Sequence, residues 1–125
     1  MKMIDFKQNF VKLAPISIDS VSEALKPMIL EDEKIIAAFK AMRDSVVFTD
    51  KRIIAVNVQG LTGKKVDYTS LPYSKVQAYS VETSGVFDRD CELELYFAAL
   101  GKVHFEIKGQ FDIVSFNKIL SGYVL

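Results

Sequence analysis

His104 is the only histidine of this 125-residue chain and Cys91 the only cysteine. A histidine acting as general base needs a nucleophile or an orienting acid within hydrogen-bond reach. Glu106 lies two positions on, and Glu94 and Tyr96 fall on the preceding strand. This arrangement reads as a solvent-facing strand histidine. Cys91 stands between Asp90 and Glu92. Negative neighbours raise a thiol's pKa, opposite to what a reactive thiolate requires. One Cys and one His do not complete the four ligands of a structural zinc site.

Asp88, Asp90, Glu92 and Glu94 alternate with other residues. They lack the glycine and distal glutamate of a calcium-binding loop. Alternation along a strand points instead to one solvated face. Gly60-Leu61-Thr62-Gly63-Lys64 has only part of a phosphate-loop pattern and precedes a strand rather than a helix. It reads as a hairpin turn. No catalytic, cofactor-binding or metal-binding residue is expected, and the chain is not expected to be an enzyme.

The elements that carry these residues follow from periodicity. Lys34 to Met42 reads as a strand with Ile35, Ala37, Phe39 and Ala41 on one face. Further strands are predicted over Ser45 to Thr49, Arg52 to Val58, Lys65 to Thr69, Val76 to Thr83, Cys91 to Ala98 and Val103 to Lys108. Seven short strands separated by turn signals indicate a sandwich or small barrel. Ile113, Phe116, Leu120, Tyr123 and Val124 then follow helical spacing after a capping Asp112. Near the start, Ser20 with Glu23 forms a capping-box pattern before Val21, Ala24, Leu25 and Met28. That predicts a short helix over residues 20–27, limited by Pro27. The lead before it reads as irregular. The organisation expected is one domain over 1–125: lead and short helix in 1–32, strands in 33–109 and a capping helix in 110–125.

Composition narrows the class. Half the residues are hydrophobic, and 16 Lys and Arg balance 16 Asp and Glu. A zero formal charge disfavours general nucleic-acid binding, because each phosphate contact calls for a cation. A single cysteine forms no internal disulfide and suits a reducing cytoplasm. Residues 1–14 lack the unbroken apolar run of a signal peptide.

Three segments carry a resemblance. Val47-Phe48-Thr49-Asp50-Lys51-Arg52-Ile53-Ile54, Leu71-Pro72-Tyr73-Ser74-Lys75-Val76 and Phe87-Asp88-Arg89-Asp90-Cys91-Glu92-Leu93 occur in order. With this strand-and-helix order they resemble the bacterial pleckstrin-homology-like family, over residues 20–125. The resemblance implies a mainly β fold: a seven-stranded antiparallel barrel or sandwich capped by a C-terminal helix. It also implies ring-like homo-oligomers and no common ligand. Eukaryotic relatives usually carry a Trp in the C-terminal helix. This chain has none, and Phe116 is the expected core substitute. The Lys40, Arg43 and Asp44 region lacks the cation cluster that a multiply phosphorylated headgroup favours.

Two functional expectations follow. Paired apolar residues, Ile35-Ile36, Val46-Val47 and Ile53-Ile54, exceed what one buried face needs. Burial of the surplus between copies of the chain would make it a self-associating, non-catalytic scaffold; the alternative is that the N-terminal segment covers it. Second, alternate turns of a meander would bring Arg43, Leu61, Lys64, Lys65, Val86, Phe87 and Arg89 to one end. Cations beside exposed apolar tips suit a membrane surface or another protein.

Overall fold

The computed structural model describes residues 10–85 and 89–125. Short apolar runs with side chains on both faces build β2 (Ile35–Ala41), β3 (Asp44–Thr49) and β4 (Arg52–Gln59), followed by β5 (Lys65–Pro72). A 3-10 turn, Tyr73–Lys75, leads into β6 (Val76–Thr83), β7 (Arg89–Phe97) and β8 (Gly101–Gln110). One helix, α1 (Ile113–Val124), follows. An eighth strand precedes them all: β1 (Phe10–Ile16).

β1 joins the two halves of the sheet, whose order is β5-β4-β3-β2-β1-β8-β7-β6. It runs antiparallel to β2 and parallel to β8. The segment expected to be an irregular lead is therefore a central strand. Its alternation is broken at Lys12, whose φ of 56° lies in the left-handed region. The pairing with β8 shifts there, so Phe10 and Leu13, three apart, both turn inward. The displaced Lys12 N–H donates to Glu106 Oε1 at 3.2 Å.

The main core lies between the inner sheet face and α1. Phe116 sits at its centre, edge-on to Phe48 at 5.0 Å and to Phe111 at 5.3 Å between ring centroids. Leu120 is fully buried beside it. Asp112 caps the helix by accepting the Ser115 N–H at 3.0 Å. Burying aromatic and branched side chains of this size stabilises the fold by about 1.5–3 kcal/mol each.

A second apolar cluster occupies the outer face of β2–β4. Ala38, Val47, Ile54 and Val56 pack there beneath Val21 and Leu25. The apolar pairs thus divide. Val46 and Ile53 enter the main core, while Val47 and Ile54 enter the second. Ile35, expected on the face of Phe39, packs against the second cluster, because the register shifts between Ile35 and Ala37. The surplus is covered within one chain by residues 17–33, a strap across the outer face.

The strap does not form the helix expected over 20–27. It makes two 3-10 turns, Ile18–Ser20 and Lys26–Met28. Ser20 does not act as a cap: its hydroxyl donates to the Ser17 carbonyl at 2.6 Å. Glu23 turns instead to Lys26, at 2.8 Å. Pro27 lies in the second turn. Sequence spacing of four still suffices to turn Val21 and Leu25 onto the sheet.

A polar network fastens the strap's far end. The Glu33 side chain is fully buried and its two oxygens receive Arg52 Nε and one terminal nitrogen, each at 2.8 Å. Thr49 Oγ1 donates to Glu33 Oε2 at 2.7 Å, and the Leu30 N–H donates to Oε1 at 3.1 Å. Arg52 also donates to the Met28 carbonyl at 3.0 Å and to Ser70 Oγ at 2.9 Å. Thr49 Oγ1 accepts the Lys51 and Arg52 N–H groups, closing the β3–β4 turn. The Tyr73 hydroxyl donates to the Thr49 carbonyl at 2.6 Å. The Thr49-to-Arg52 and Leu71-to-Tyr73 segments are thus parts of one joint built around the buried Glu33, Thr49 and Tyr73.

Candidate functional site

The β7–β8 ladder sets the surroundings of His104. It pairs Glu94 with His104 and Glu92 with Glu106. His104 Nε2 lies 3.0 Å from Glu92 Oε1, and Nδ1 lies 3.8 Å from Glu94 Oε2. Its side chain is 15% exposed, more enclosed than a simple solvent-facing histidine. Lys102 Nζ approaches Glu94 Oε2 at 3.1 Å. The Lys102 hydrogen bond, with the charges of Lys102 and His104, holds the Glu94 carboxyl below its ordinary range against the opposing effect of burial. This is a bridged polar face.

Cys91 points the other way. It is buried in the main core, opposite Ile107. Burial, with the nearby charges of Asp90 and Glu92, pushes its thiol up to about 11. The sheet therefore separates Cys91 from His104, and the two cannot act on one atom. Asp90 holds a left-handed φ of 41° and accepts the Gly109 N–H at 2.7 Å, a structural tie at the edge of a register shift. Asp88 lies outside the described residues. Among the described residues no three His, Cys, Asp or Glu side chains are placed to hold a metal ion.

The basic-apolar residues divide into two places. Arg43, in the β2–β3 turn, donates to the Gly60 carbonyl of the β4–β5 turn. Gly60 and Gly63 take left-handed φ values of 77° and 68°. A Cβ on Gly63 would stand 3.2 Å from an Arg43 guanidinium nitrogen and 3.3 Å from Val58, so the guanidinium packs where only glycine leaves room. Leu61 and Lys64 share this turn, and Lys65 begins β5. Arg89 is not with them. It pairs with Gln110, at the end of β8 away from the β2–β3 turn. Phe87 and Val86 lie outside the described residues. Met42, beside Arg43, was not singled out by its sequence pattern. It is 94% exposed, and Leu61 is fully exposed. An apolar residue at a turn next to Arg43 was the available signal.

The curled sheet closed by one helix, with its inner aromatic core, defines a mainly β domain of the pleckstrin-homology-like class. The chain belongs to the bacterial PH domain family, whose model matches residues 5–124. It is similar to the uncharacterized protein YjqA of Bacillus subtilis strain 168, at 44% identity over 109 residues, covering 86% of this chain and 87% of that protein. The uncharacterized YozO of the same strain is 31% identical over 80 residues, covering 64% and 69%. A crystal structure of a DUF1696 family protein with a pleckstrin-homology domain from Shewanella loihica PV-4 superposes with a TM-score of 0.76. It is 35% identical, covering 92% of this chain and 99% of that one. A pleckstrin homology domain from Shewanella amazonensis SB2B gives 0.62 at 37% identity, covering 88% and 90%.

Proposed function

We propose that this domain is a non-catalytic interaction module that associates with copies of itself through its open sheet edges. The observation that carries the proposal is β6. It ends the sheet and pairs on one side only. Natural edges are commonly blunted by Lys or Pro, and the eight residues of β6 contain neither. The opposite edge, β5, carries Lys65 and Pro72 only at its two ends, and residues 66–71 between them contain neither. An edge that pairs with the β5 of the next copy makes a heterologous contact, which closes as a ring where the rotation permits. The surplus apolar residues give no support to this reading, because the strap covers them. The buried free Cys91 suits the reducing cytoplasm in which we place the module.

Light scattering on the purified chain tests the proposal. A mass at a multiple of 14.1 kDa is expected, and Ala78→Lys with Ser80→Lys should return it to one copy. A mass near 14.1 kDa at micromolar concentration overturns it.

A second reading rests on Met42 and Leu61, apolar tips standing clear of the surface beside Arg43, Lys64 and Lys65. Such tips suit contact with an anionic membrane. Co-sedimentation with phosphatidylglycerol liposomes is the measurement. Binding that drops after Leu61→Asp, or after charge reversal at Lys64 and Lys65, supports it. Unchanged binding removes those residues.

A further inference from the structure

The strap leaves part of the outer sheet face uncovered. Beside Leu25 a groove of about 330 Å3 runs over β2–β5. Small-molecule sites occupy about 300–1,000 Å3, so the groove has room for one small ligand. The register orders its floor. Lys40 pairs with Ser45, Ser45 with Val56, and Val56 with Tyr68. One row along the strands, Val58 pairs with Val66. The groove is therefore polar and cationic at Lys40, Arg43 and Ser45 and apolar at Val47 and over β4 and β5.

Its charge narrows the ligand. Lys40 is exposed and, among the described residues, its ammonium makes no side-chain hydrogen bond or ion pair. Arg43 uses one nitrogen on the Gly60 carbonyl and keeps further donors. Asp44 is next in the chain, and its Oδ1 accepts the Val58 N–H at 3.1 Å. Two cations less one carboxylate leave a single net positive charge. That balance matches a monoanionic head better than a phosphate of higher charge.

We propose that this groove binds a single-chain fatty acid. Its carboxylate meets Lys40 and Arg43, and its tail lies over Val56, Val58, Val66 and Tyr68. The site uses the outer face of β5 through Val66 and Tyr68, not the unpaired backbone groups along its edge. It shares Arg43 with the membrane reading, and two groups separate them. Lys40 lines the groove, whereas Lys64 does not.

The test is fluorescence titration of the full chain with a dansyl-labelled undecanoic acid, followed by displacement below the micellar range. Saturable binding is expected, with displacement by dodecanoic acid. Dodecanol, which lacks the charge, should be about tenfold weaker, as should dodecanoic acid on Lys40→Glu. Removing a methylene should weaken binding about fourfold. Val66→Asp should abolish it, and Lys64→Glu should leave it unchanged. Absence of saturation overturns the proposal, as does equal affinity for acid and alcohol. An unaffected Lys40→Glu variant overturns it too. Binding confined to phosphatidylglycerol vesicles assigns the cations to a membrane surface instead. Displacement only by an apolar peptide with a free C-terminal carboxylate assigns the groove to a protein partner.

Discussion

In the β2–β5 half of the sheet, apolar side chains leave both faces; in the β6–β8 half they leave one. The outer face of the first half holds Ala38, Val47, Ile54 and Val56 and needs a cover. The outer face of the second holds Glu92, Glu94, Lys102 and His104, which pair with one another at the surface. The difference shows where this small domain keeps its vulnerable chemistry. One half depends on a strap fastened by a buried ion pair. The other depends only on its inner core, and its charges remain close to water.

Breaking the fastening should have the largest effect. Arg52→Ala leaves the Glu33 carboxylate buried without its cation, a change that costs about 3–5 kcal/mol in comparable sites. Urea unfolding followed by circular dichroism measures it. A loss below about 1 kcal/mol would mean that the strap stays seated without Arg52. Leu25→Ala tests the same strap through its apolar anchor. Removing a buried leucine side chain there should cost about 2–4 kcal/mol. The double variant should lose less than the sum of the two single losses, because both act on one segment.

Acid sharpens the contrast. Burial alone would raise the Glu33 pKa. The hydrogen bonds from Arg52, Thr49 and the Leu30 N–H, with the Arg52 charge, outweigh it and take the pKa from 4.5 down to about 2. A depressed folded-state pKa stabilises the fold above the unfolded value. That stability is lost as pH falls from about 4.5 through about 2, and it amounts to about 3 kcal/mol. Unfolding free energies measured across this window should fall for the parent chain. Glu33→Gln should flatten that slope while lowering stability near neutral pH. An equal slope in both proteins would place the acid sensitivity elsewhere.

Much of the fold was legible because its signals are local. Strands β7 and β8 show period-two alternation, β2 to β4 are short apolar runs bounded by turn residues, and α1 shows helical spacing after Asp112. The Phe116 position followed from its place on the apolar stripe. What escaped has a physical reason in each case. The bulge at Lys12 breaks alternation, and β1 gains its partners from β2 and β8, remote in sequence. The Glu33 joint spans 16 residues to Thr49 and 19 to Arg52, so no local pattern marks it. The apolar pairs did signal a second buried face, but periodicity does not say what covers it. Of the basic-apolar residues, the link between Arg43 and the Gly60 turn follows simple meander geometry. Arg89 departs from it because the parallel β1–β8 pairing sets the polarity of the second half.

The smallest expected effect lies on that second half. His104→Ala removes the contacts to Glu92 and Glu94; the Glu92 carboxylate lies near solvent, and the enclosed Glu94 Oε2 has a second partner. Exposed and half-exposed pairs are worth about 0–1 kcal/mol, since water replaces the lost partner and long side chains regain freedom. Lys102 also remains beside Glu94 at 3.1 Å, so the more enclosed carboxylate keeps a cation. Urea unfolding of this variant should therefore differ from the parent by less than about 1 kcal/mol. A loss matching that of Arg52→Ala would overturn the contrast between the halves. It would mean that the imidazole holds the β7–β8 face together as tightly as Arg52 holds the strap.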